Sequence, residues 1–222
     1  LDLKYPYKMR MLDMNKVVII NCFITLILLC SCSDRPETID KSLRVGNILL
    51  SDNTITSPEG YNKNTDTAVG VIFYQNGDTV IVVGVKELGQ HIYSDSIGTI
   101  ASVTNNSYSL CGTENTAAIL SSSFQSPAVN AITQYPSPIS GWALPSAGEL
   151  KRLSQNLNQV KIAMKVIGGD DFKSGQYLSS SQDGTTSETQ QLLYYGVSLQ
   201  NGFVTSINKH VPNNVRPILR LR

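Results

Sequence analysis

The residues in this chain that could do chemistry are few, and most stand apart from one another. Of the four cysteines, Cys22, Cys30 and Cys32 crowd into one N-terminal apolar stretch, a spacing that does not suggest a disulfide framework. Cys111 has no thiol partner and is expected to pack as a small buried hydrophobe. His91 and His210 are far apart with no cysteine cluster beside them, so zinc finds no ligand set. Asp170-Asp171 and Asp183 could lend oxygen ligands, but a hard cation wants roughly six to eight, and two short acidic spots are expected to be solvated loop. Ser206-Ile207-Asn208-Lys209 spells S-x-x-K and Ser51-Asp52-Asn53 spells S-D-N, two parts of a serine-nucleophile signature. Here the order is reversed, no K-T-G follows, and Ser206 falls at an expected strand end. No glycine-rich phosphate loop occurs. The expectation is a chain without a cofactor, a bound metal or a catalytic centre.

Cys32 stands in a different context. Residues 14–34 read MNKVVIINCFITLILLCSCSD, with Lys16 ahead of an apolar run from Val17 to Leu29. A bilayer span needs about 20 apolar residues, so this shorter run suits the core of a signal peptide. It ends Leu29-Cys30-Ser31-Cys32, which resembles the bacterial lipobox: an aliphatic residue three before the cysteine and a small one directly before it. Cys30 fits less well, because Leu29 is bulky. At such a site the thiol takes diacylglycerol through a thioether before the peptide is cut ahead of it. Several acyl chains then hold a protein to a membrane with no spanning helix. Met14 is the better initiator, so residues 1–31 are expected to be an upstream extension and lipoprotein signal peptide. Residues 32–42 are expected to be a lipidated tether, polar and carrying Pro36. The expected location is the bacterial cell envelope, at the outer membrane or cell surface.

The elements that must position everything else follow from composition and period. Hydrophobic residues at 41% and charged residues at 16% describe a globular body with a core. Eighteen basic against seventeen acidic residues leave a net charge of +1, which offers no surface for tracking phosphates; nucleic acid is not an expected partner. Strands are expected at Leu43 to Leu50, Thr67 to Gln75 and Thr79 to Lys86, the last pair joined through Asn76-Gly77-Asp78. The almost uniformly apolar third run should be covered on both faces. Residues 88–113 read as loop. Ser126-Pro127 opens a short helix, and Ser146 with Glu149 forms a capping box for a second. Leu150, Leu153, Leu157, Val160 and Met164 then make one apolar stripe that Gly168-Gly169 ends. Strands return at Gln176 to Ser181, Gln190 to Ser198, Gly202 to Asn208 and Val215 to Leu221. Strands, two helices, then strands again argue α+β, with helices packed on antiparallel sheet.

Four stretches then fall in a recognisable order: GWALPSAGEL (Gly141 to Leu150), GGDD (Gly168 to Asp171), YLSSSQ (Tyr177 to Gln182) and VRPILRL (Val215 to Leu221). They resemble the C-type-lectin-like domains of Bacteroidetes lipoproteins and fimbrial-type surface proteins, related to the DUF1566 group. VGNILLSDNTIT (Val45 to Thr56) and AVGVIFYQNG (Ala68 to Gly77) match the usual lead-in, so the likeness covers residues 43–222. Leu178 and Gln182 depart from the family's tryptophan and acid. The Glu-Pro-Asn or Gln-Pro-Asp tripeptide of calcium-dependent sugar binding does not occur, nor does the cysteine pair of the formylglycine-generating relatives. Trp142 is expected to pack in the core. The resemblance implies a non-catalytic binding module with two main helices and antiparallel sheets. Its recognition surface would lie on the loops Gly168 to Gly175, Gln182 to Glu188 and Lys209 to Asn214, with Asp170, Asp171, Gln182, Asp183, His210 and Asn213 as ligand contacts. The partners would be the membrane, through the lipid, and a glycan or surface protein. The alternative is a structural subunit of a fimbria-like assembly.

Overall fold

The computed structural model describes residues 42–184 and 192–221. Arg44 to Gly46 turn rather than extend: Gly46 has φ 92° and the Asn47 amide donates to the Arg44 carbonyl at 3.1 Å. The first strand is therefore only β1 (Ile48–Leu50), shorter than its apolar run suggested, followed by β2 (Ile55–Thr56). β3 (Ala68–Asn76) and β4 (Thr79–Gly84) pair antiparallel through a two-residue turn in which Gly77 takes φ 55°, a conformation glycine adopts at no steric cost. β5 (Gln90–His91) is brief.

Four helices follow among the described residues, not two. α1 (Gly112–Leu120) was not expected. α2 (Pro127–Thr133) has Ser126 as its cap and Pro127 in its first turn. α3 (Ala147–Gln155) carries the full capping box of Ser146 and Glu149. The apolar stripe continues into α4 (Leu157–Ile167), but the backbone breaks at Asn156, whose side-chain amide donates to the Phe73 carbonyl at 3.0 Å. Gly168 closes α4 in the left-handed conformation, φ 68°. The stripe residues Leu150, Leu153, Leu157, Val160 and Met164 are all buried. β6 (Gln176–Gln182), β7 (Leu193–Ser198), β8 (Val204–Asn208), β9 (Asn213–Asn214) and β10 (Ile218–Leu221) complete the chain.

The architecture is α+β, with two five-stranded sheets ordered β10-β4-β3-β1-β2 and β5-β9-β6-β7-β8. Every strand pair is antiparallel except β6 with β9. In the first sheet, Ile48, Val71, Phe73, Ile81, Val83 and Ile218 pack with the stripe of α3 and α4. Leu49, Ile72, Val80, Val82 and Leu219 form a second cluster with Trp142 and Ile139. β4 is thus apolar on both sides, which is why its sequence does not alternate. Trp142 is partly buried, edge-on to Tyr135 with centroids 4.8 Å apart, and donates from Nε1 to the Ile139 carbonyl. Among the described residues, no helix is long and apolar enough to cross a membrane.

Candidate functional site

The residues expected to contact a ligand fall in two groups. Asp170 follows the left-handed end of α4, and its carboxylate accepts from the Glu87 amide at 3.0 Å and from Lys86 Nζ at 3.3 Å. The Glu87 amide, more than Lys86, holds the Asp170 carboxyl below its ordinary pKa. Its backbone carbonyl accepts two bonds, both 3.1 Å, from the guanidinium of Arg216. Asp171, next in line, is exposed.

Gln182 and Asp183 lie at the far end of β6. Gln182 is buried, and its amide is consumed by a two-way pair with the Ile100 backbone, both bonds 3.0 Å. Asp183 is buried and accepts from Ser206 Oγ at 2.6 Å. Lys209 shares this end. Its ammonium is buried, donates to the Gly98 carbonyl and lies 3.4 Å from Gln182 Oε1 and 5.4 Å from the centre of the Tyr93 ring. Burial pushes its pKa down to about 8. His210 is exposed beside it, while Asn213 is half-buried and donates to the Tyr194 hydroxyl at 2.8 Å. Of the expected contacts, then, Asp171 and His210 face solvent freely, and Gln182 and Asp183 are built into the fold. Residues 185–188 of the middle loop and Cys32 lie outside the described residues.

Of the buried charges, sequence reasoning read Glu149 only as a helix cap and passed over Glu87, Arg216 and Arg220. Arg216, from the VRP stretch, is fully buried. It donates to the carbonyls of Gly84 and Val85, pairs with Glu87 at 3.1 Å, and stacks 4.5 Å from the Phe172 ring centre. Tyr177 donates to the same Glu87 carboxylate at 3.2 Å. Despite that company, burial raises the Glu87 pKa. Glu149 is fully buried, accepts from the amides of Gly112 and Ser146, and pairs with Arg220 at 3.3 Å; burial raises its pKa too. The available signal was position: an acid at the third residue of a capped helix and an arginine just before a proline. Cys111 is only partly buried, and burial, then Glu149 and Glu114, push its thiol pKa up, so it is held as the unreactive thiol. Among the described residues, no cluster of three or more metal-ligating side chains occurs.

No family model, curated protein or solved structure matches the chain. What the site can do rests on its geometry. That geometry is a stiff base with polar loops above it. Asn214 donates to the Ser174 carbonyl at 3.0 Å, tying the loop before β9 to the loop before β6, and Arg216 anchors the second of these through Asp170.

Proposed function

We propose that this protein is a lipid-anchored binding module of the bacterial envelope or cell surface. It presents a C-type-lectin-like recognition face to a glycan or protein ligand, and it is not catalytic. The observation that carries the reading is the tie between residues 168–175 and 209–214. Both loops are fixed at their bases by Asn214 and Arg216, while Asp171, Lys173, His210 and Val211 stay exposed. Loops held by a rigid scaffold are where recognition residues concentrate. The lectin-like organisation is the finer part of the reading. It is supported by the order of the capped α3, the YLSSSQ strand β6 and the VRP stretch before β10. The lipid anchor is supported by Leu29-Cys30-Ser31-Cys32.

Two measurements test it. The full chain applied to a glycan array, with and without calcium, should show saturable binding that Asp171→Ala with His210→Ala weakens at least tenfold. Folded protein that binds nothing, or that assembles into fibres instead, refutes the recognition role. In cells fed labelled palmitate, Cys32→Ser should abolish incorporation and membrane retention; unchanged labelling refutes the anchor.

A further inference from the structure

The second sheet ends on β8, and among the described residues no other sheet edge is both long and bare. β2 and β5 are two residues each, and the outer side of β10 takes the bridge from Ala143. β8 is five residues, Val204 to Asn208, paired with β7 in unbroken register. Natural edge strands are kept from pairing further by a lysine or proline on the edge, or by a bulge. β8 has none of these. Its sequence is VTSIN, and Lys209 just beyond it is buried.

Which backbone groups are free on this edge follows from the ladder. The Lys209 amide donates to the Leu192 carbonyl, and the Ser198 amide donates to the Phe203 carbonyl. In an antiparallel pair the bonded positions alternate, so Phe203, Thr205 and Ile207 turn their backbone toward β7. The amides and carbonyls of Val204 and Ser206 point away from β7, where no strand of the described residues pairs with them. Side chains alternate as well, which puts Phe203, Thr205 and Ile207 on one face. Phe203 is 69% exposed there, and Ile207 is half-buried against the core that holds Tyr194 and Val215.

We propose that β8 pairs with β8 of a second copy of this chain, antiparallel about a two-fold axis through Thr205. In that register the amide and carbonyl of Val204 meet those of Ser206 in the second copy, and the reverse, so each free group finds a partner. Phe203 then lies opposite Ile207 of the second copy, an aromatic ring against a β-branched chain, and Thr205 faces Thr205. A two-fold contact needs a patch that complements itself, and a strand without charge meets its own copy without repulsion. Centring the axis on Ser206 would instead set Phe203 opposite Lys209. It would also call on the Asn208 carbonyl, which already accepts from the Val211 amide at 3.0 Å. The contact goes beyond the recognition loops and does not depend on them or on acylation of Cys32.

The test uses washed membranes containing the full chain. Under mild oxidation with copper phenanthroline, Thr205→Cys should yield a disulfide joining position 205 of two copies. Facing non-bonded positions sit about 4.5 Å apart at Cα, within disulfide reach. Peptide mapping separates this link from any through the native cysteines, and Ser206→Cys should link at least tenfold less. Capture of one tagged copy by another should fall at least tenfold when both carry Thr205→Lys. It should return when one carries Thr205→Lys and the other Thr205→Glu, with circular dichroism of the purified variants unchanged. No link at position 205, a link as ready at 206, or capture indifferent to Thr205→Lys overturns the pairing. A link from position 205 to a different protein makes a foreign strand the occupant and overturns the second copy.

Discussion

A guanidinium can be kept charged inside a protein only if its hydrogen bonds are met, and Arg216 shows how many that takes. Its donors reach the carbonyls of Gly84, Val85 and Asp170 and the carboxylate of Glu87. Arg216→Met takes the cation from the buried Glu87 carboxylate and the guanidinium donors from the Gly84 and Asp170 carbonyls, so urea unfolding should show a loss of about 3–5 kcal/mol. Adding Glu87→Gln should return part of it, since the stranded charge is then gone. Lys209 makes the opposite case, a buried ammonium with only carbonyl oxygens and rings for company. Its folded pKa of about 8 lies below the ordinary 10.5, so between those values the folded state holds fewer protons than the unfolded one. Stability must then rise with pH across that window, by up to roughly 3 kcal/mol, and below it the full cost of burying the charge is present. The tyrosines Tyr93, Tyr177 and Tyr194, whose pKa values burial raises, reverse the trend once unfolded tyrosine ionises near 10. The midpoint in urea should therefore climb from pH 7.5 to 9.5 in the wild type, and Lys209→Met should abolish the climb, leaving at most the fall set by the raised Cys111 thiol. A flat wild-type profile would show that the ammonium is hydrated.

At the scale of elements, the capping box does more than start a helix. Ser146 Oγ accepts from the Glu149 amide and donates to the Ser109 carbonyl, and Glu149 reaches on to Gly112 at the first turn of α1. Ser146→Ala removes the cap and a second buried bond, so it should cost about 1–3 kcal/mol in thermal or urea unfolding, its upper end beyond the roughly 0.5–2 kcal/mol of a cap alone. A loss under half a kcal/mol would mean the bond to Ser109 is replaced by water. The box and the stripe behind it were legible in the sequence because both are local, a matter of three- and four-residue intervals. α1 was not legible. The side chains it buries include Asn115 and Thr116, and they act by hydrogen bonds to Thr104, Ser180 and Leu144, which leave no apolar period to read. Gln182 was misleading for a related reason. A glutamine after YLSSS reads as a free loop amide, and only the approach of Ile100, distant in sequence, turns it into a core residue. Asp171 and His210 were legible as exposed because nothing distant needs them.

At the scale of the whole molecule, the first sheet cannot close until β10 joins β4, more than 130 residues earlier in the chain. β10 comes from the end of the described chain, yet it pairs with β4, and Ile218 bridges to Ala143 on its other side. Both clusters that sandwich β4 include a β10 residue: Ile218 on the helix side and Leu219 on the opposite face, with Trp142 and Ile139. Burying each is worth about 1.5–3 kcal/mol. Arg220 also neutralises the buried Glu149, and stranding that acid costs about 3 kcal/mol or more. Together these match the roughly 5–15 kcal/mol that holds a domain folded. A chain ending at Pro217 should therefore lose the near-ultraviolet signal of Trp142 and its tyrosines and become open to protease along β3 and β4. A chain ending at Leu221 should keep both properties. If the shorter chain stays protected, the two sheets carry separate cores, and the pairing of β4 with β10 only seals an edge.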